Sequence, residues 1–223
     1  MGQVSERIAM ALQEYMEVVS GDVDEICRDA AGRTASDWRV KQALKATSIG
    51  AAAAAIPVYS YLTLPADLTA TLRIMHRCAT GMCFIILGHA DEETYAGVLA
   101  VWSGEVQLDD NLAKQVAAKA LATAGSTVGG QLGLKLSIKA FNICTTAIVT
   151  KKLGPKVAQK VAAKLTSKLA AKATTRWIPI ISAFVGGGTN LWILDGIADA
   201  AEEYSRFILR SQPPPPAALP PNA

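Results

Sequence analysis

The chain has 223 residues, 51% of them apolar and only 6% aromatic, with a net charge of +3. That length buries a full core without covalent staples, so the four dispersed cysteines (Cys27, Cys78, Cys83, Cys144) read as reduced thiols and not as a disulfide framework. Abundant Ala, Leu and Lys argue against a strand-rich sandwich and for an all-α class: a single bundle of long, broken helices.

Residues 4–31 carry Ile8, Ala11, Leu12, Tyr15, Val18, Val19 and Ile26 on a helical period, with a break expected near Ser20-Gly21-Asp22. Residues 1–36 are thus an amphipathic helix or helix pair. This opening lacks the apolar run and cleavage site of a secretory signal, which predicts a cytoplasmic chain. Glu6 stands where an acylation signal after Met1-Gly2 needs Ser or Thr. Asp37 is the expected cap of a second helix running to Pro57, and Pro57 and Pro65 bracket a bend. A third helix carries Leu68, Leu72, Met75, Ala79, Met82 and Ile86 to a stop at Gly88; a fourth runs from Asp91 to Gly104.

Charge is segregated along the chain. Between Asp110 and Asp195 lie 84 residues without Asp or Glu, holding eleven lysines and one arginine, so this segment carries +12 and the other 139 residues −9. Asp109-Asp110-Asn111 suits a helix N-terminus, and the helix is expected to continue to about Leu153. Within it Gly125, Gly129 and Gly133 form a glycine-zipper spacing that lets another backbone approach closely. Gly154-Pro155 stops one helix and starts the next. There Lys152, Lys156, Lys160, Lys164, Lys168, Lys172 and Arg176 recur every four residues, each followed by an apolar neighbour: Leu153, Val157, Val161, Leu165, Leu169, Ala173 and Trp177. Trp177-Ile178-Pro179 breaks the chain, Gly186-Gly187-Gly188 predicts a glycine-rich hairpin, and a last helix carries Leu191 to Ile208. Residues 211–223 are a Pro-rich disordered tail.

Two sets of residues resemble the EcsC protein family. Arg176-Trp177-Ile178-Pro179, Gly186-Gly187-Gly188-Thr189-Asn190, Ile197, Ala198, Ala201, Tyr204 and Arg206 resemble its C-terminal signature. Pro57, Pro65, Asp67-Leu68 and Arg73, then Gly88, Glu92, Tyr95 and Leu99, resemble its proline-bracketed helix and acidic helix start. The likeness covers about residues 45–210 and makes 37–210 an EcsC-like helical domain. It implies a bacterial, mostly helical protein at the inner face of the membrane, beside a membrane protein such as a transporter. It implies no catalytic residues, and the lysine-only middle and glycine triplet depart from the family pattern.

The lysine row is the strongest functional signal and points to an anionic membrane surface. Each lysine near such a surface contributes about 1 kcal/mol, but a spacing of four advances about 40° per step, so about half can dock together, or about 3 kcal/mol. The competing reading is a solvated face over a core stripe. Nucleic acid fits less well, with one arginine, few aromatics and no binding motif in the block. The uncharged windows Ala46–Ala66 and Trp177–Leu194 have bilayer-spanning length but contain Pro and many small residues. They keep a second function open: a pore-forming effector, secreted without a signal, using Gly125, Gly129, Gly133 and Gly186–Gly188 for packing or insertion, with oligomers allowed. A hydrolase is a third.

No metal or other cofactor is expected. The acids after His89 are explained by a helix start, and His76, Cys78 and Cys83 lack a second ligand pair. Asp67, Asp195 and Asp199 stand in apolar stretches and, with Arg73, Asn190 and Arg206, are expected as buried polar residues, the arginines pairing the acids.

Overall fold

The computed structural model describes residues 2–18, 22–54, 64–124, 130–145, 154–174 and 179–213. Among them are the helices α1 (Gly2–Val18), α2 (Val23–Ala30), α3 (Ala35–Ala54), α4 (Leu64–Leu87), α5 (Thr94–Ser103), α6 (Asp110–Ala124), α7 (Gly130–Cys144), α8 (Pro155–Thr174) and α9 (Pro179–Arg210), with no strand. The all-α class is therefore established.

Local chemistry sets most boundaries. The cap of α3 is Thr34, three residues before the expected Asp37: the Asp37 amide donates to Thr34 Oγ1 (3.1 Å) while Thr34 Oγ1 donates to the Asp37 carboxylate (2.7 Å). The Thr34 hydroxyl thus satisfies an orphan amide of the first turn, and the Asp37 carboxylate orients that hydroxyl. Asp91 Oδ1 accepts from the Glu93 and Thr94 amides before α5, and Asp109 Oδ1 accepts from the Leu112 amide at the start of α6. Gly88 and Gly104 end α4 and α5 with φ of 72° and 78°, a conformation that L side chains rarely adopt.

α9 has 32 residues, about 48 Å at 1.5 Å per residue, and forms the spine. It packs most extensively on α3 and α4 and is also crossed by α5, α7 and α8. α6 and α7 pair with each other, α8 lies on α1 and α5, and α2 lies on α4. Thr69–Leu87 of α4 is long and apolar enough to cross a membrane, but most of it is buried among the other helices, as a core helix would be.

Three glycines other than the expected ones hold the helices close. A Cβ at Gly81 would lie 2.3 Å from the Trp38 ring, at Gly97 2.8 Å from Tyr204, and at Gly196 2.8 Å from Trp102. Each receives an aromatic ring from a neighbouring helix. In contrast, α6 (Asp110–Ala124) and α7 (Gly130–Cys144) pack on each other, so the expected helix to Leu153 is a helix pair. Gly125 and Gly129 lie outside the described residues, and among the described helices only α7 carries a member of that spacing, the buried Gly133. Gly186, Gly187 and Gly188 fall within α9, whose backbone is helical where a hairpin was expected.

Candidate functional site: the basic helices

α8 begins at Pro155, and Val157, Ala158, Val161, Ala162 and Leu165 are buried. The apolar residue behind each described lysine therefore belongs to the core, while Lys156, Lys160 and Lys164 are exposed. Two of the three lysines are nevertheless tethered. Lys160 Nζ lies 2.5 Å from Glu105 Oε1, and the Glu105 side chain is only 16% exposed. Lys164 Nζ donates to the Trp102 carbonyl and stands 5.3 Å from the Trp102 ring centroid. Burial, then the neighbouring Lys160, pushes the Lys164 ammonium below its ordinary pKa. The row thus turns onto the end of α5 as it winds, which reduces the number of lysines that can face one plane. The side chains of Lys168 and Lys172, and all of Lys152 and Arg176, lie outside the described residues.

The basic surface extends beyond that row. Lys114 and Lys119 on α6 and Lys135 and Lys139 on α7 are also exposed. Sequence reading weighed these four only as part of the total charge, because they lack the four-residue rhythm of α8. On α7 they share a face with Leu132 and Ile143, which are 58% and 42% exposed.

The acids are committed elsewhere. Asp29 accepts from Lys41 (2.5 Å) and Arg77 (2.8 Å), and Arg77 also reaches Glu25 (2.9 Å), tying α2, α3 and α4 together. Lys41, then Arg77, outweighs partial burial and holds the Asp29 carboxyl below the usual carboxylate range; Arg77 does the same for Glu25. Asp195 and Asp199 are 52% and 65% exposed, not buried. Their neighbours Ile193, Leu194, Ile197 and Ala198 face the core, but the helical period turns 195 and 199 outward. Arg39 of α3 clasps both, its Nε donating to Asp195 (2.8 Å) and its Nη1 reaching Asp199 (2.9 Å). Arg39 had no mark in the sequence. Of the arginines expected there, Arg73 is exposed and lies 3.6 Å from Asp22, and exposed Arg206 pairs with Glu202 one turn back (2.5 Å). Asp67 and Asn190 are in α4 and α9, their side chains outside the described residues.

An open groove of about 390 Å³ is lined by Leu108, Asp199, Glu202, Glu203, Arg206, Phe207 and Arg210. Its lining has no Ser, Cys or His, and Asp199, Glu202, Arg206 and Arg210 already hold protein partners. His76 is 2% exposed between the rings of Tyr15 and Tyr95 (centroids 6.3 and 4.8 Å), and burial, then Arg77, lowers its pKa to about 4. Burial pushes the Cys78 and Cys83 thiols up to about 12, away from nucleophilic use. Among the described residues no three His, Cys, Asp or Glu side chains converge as metal ligands.

No protein-family model, curated protein or solved structure matches this chain.

Proposed function

We propose that this chain is a non-enzymatic, peripheral membrane protein that docks on an anionic bilayer face through the basic sector formed by α6, α7 and α8. One observation carries the reading: all seven described lysines of these helices are exposed, and the sector holds no acid after Asp110. The carboxylates of α2 and of α9 near Arg39 meanwhile engage Lys41, Arg77 and Arg39. With Lys160 shared with Glu105 and Lys164 turned onto α5, a few lysines dock at a time. The attraction is then about 3 kcal/mol, reversible and screened by salt. In this reading the chain is an EcsC-like protein on the cytoplasmic side of the bacterial inner membrane, assisting or perturbing a process there beside a membrane protein.

Vesicle flotation tests the proposal. The protein should float with phosphatidylcholine vesicles containing phosphatidylglycerol, stay behind with phosphatidylcholine alone, and detach progressively as salt is raised. Equal flotation with both lipids, or none with the anionic ones, overturns it. Release of trapped dye from the same vesicles would return the chain to the pore class.

A further inference from the structure

The outer face of α7 combines charge with apolar surface. Taking 100° per residue, Leu132, Lys135, Lys139 and Ile143 fall within an 80° sector about 16 Å long. Leu132 and Ile143 are 58% and 42% exposed, both lysines are exposed, and Leu136 at the edge is half-buried. On the opposite side, Leu134, Ile138, Ala140 and Phe141 are buried, with Phe141 edge-on to Tyr204 (5.1 Å) and Phe207 (5.7 Å) of α9. Asn142 adds a 2.6 Å hydrogen bond to Glu93 before α5. The inner face is therefore pinned through Phe141 and Asn142, which fixes the direction of the outer one. α6 contributes Lys114 and Leu121, seven residues apart on its own outer face, and Leu121 is 41% exposed.

We infer that the α7 stripe Leu132–Lys135–Lys139–Ile143 is the element that enters the bilayer interface, its leucine and isoleucine sinking among the acyl chain ends while the two lysines meet anionic headgroups. The inference rests on the membrane-docking reading and locates its apolar part. Lysine suits the position because its stem lies along apolar surface while the ammonium stays at headgroup level. A nucleic-acid surface would call for arginine forks or stacking rings; α6 and α7 contain no arginine, and their single aromatic, Phe141, is buried.

Flotation with phosphatidylglycerol-containing vesicles, followed by a high-salt wash, tests the stripe. Leu132→Ser/Ile143→Ser should still dock at low salt but lose about tenfold in what survives the wash; Lys135→Gln/Lys139→Gln should reduce the initial docking instead. All four positions are at the surface, and an unchanged urea midpoint checks that each variant is folded. If wild type docks and the Leu132→Ser/Ile143→Ser protein resists the wash equally well, the inference fails while the docking reading stands. If wild type does not dock at all, both fail. Loss of duplex DNA binding, with vesicle docking untouched, would assign the stripe to nucleic acid and overturn the inference.

Discussion

A Cβ placed on Gly81 would overlap Cε2, Cζ2 and Nε1 of the Trp38 ring, all three within 2.5 Å. Trp38 is fully buried and its Nε1–H donates to the Cys78 carbonyl at 3.3 Å, so the ring cannot swing aside without losing that bond. Gly81→Ala should destabilise the protein by about 2–3 kcal/mol, as overpacking does in a dense core. The cost should shrink in the Gly81→Ala/Trp38→Phe double variant relative to the sum of the two singles, since the methyl would then occupy space left by the smaller ring. Urea midpoints decide it: strict additivity would mean that the two residues do not share one contact. Nothing local in the sequence distinguishes Gly81 from other helical glycines. Its role depends on a ring forty-three positions upstream.

At the scale of elements, the helical class and most breaks were legible, because Asp91, Asp109, Gly88, Gly104 and Gly154-Pro155 act on adjacent backbone. Which face of each helix is buried was legible for α8, where Val157, Val161 and Leu165 follow the period, and was missed for Asp195 and Asp199, where apolar neighbours hid an outward face. The pairing of α6 with α7 was missed because nothing in the composition of the lysine-rich block distinguishes one long helix from two that pack on each other. The partners of the α8 lysines, Trp102 in the last turn of α5 and Glu105 just after it, lie far along the chain, and this has a consequence for mutation. Lys160→Glu would set a carboxylate against largely buried Glu105 and should cost about 1–2 kcal/mol, partly restored by Lys160→Glu/Glu105→Lys. Lys156→Glu, at an exposed position of the same row, should change stability by no more than about 0.5 kcal/mol. Equal urea midpoints for the two single variants would mean that α8 is not held to α5 through this pair.

Over the whole molecule, the charge segregation read from the sequence separates two tasks. Glu25 and Asp29 of α2 and Asp195 and Asp199 of α9 join helices, while the described lysines of α6, α7 and α8 are exposed. The joining half sets the response to acid. His76 sits between Tyr15 and Tyr95, and its Nδ1 has no hydrogen-bond partner among the described residues. Its folded pKa of about 4 lies below the ordinary 6.5, so between these values the unfolded chain binds a proton that the folded one refuses. The stability from this group is fully present above pH 6.5 and falls by roughly 3 kcal/mol as pH approaches 4. Asp29 and Glu25, with folded pKa values depressed by Lys41 and Arg77, add stability that is present above their unfolded pKa and lost as pH falls through the folded one. Acid unfolding should therefore have an upper limb due to His76 and a lower limb due to the carboxylates. His76→Phe keeps an aromatic ring between the two tyrosines and removes the titration. Urea midpoints measured from neutral pH down to pH 4 should decline for wild type and stay nearly level for His76→Phe, both declining at lower pH; parallel curves throughout would show that protonation of His76 does not set the upper limb.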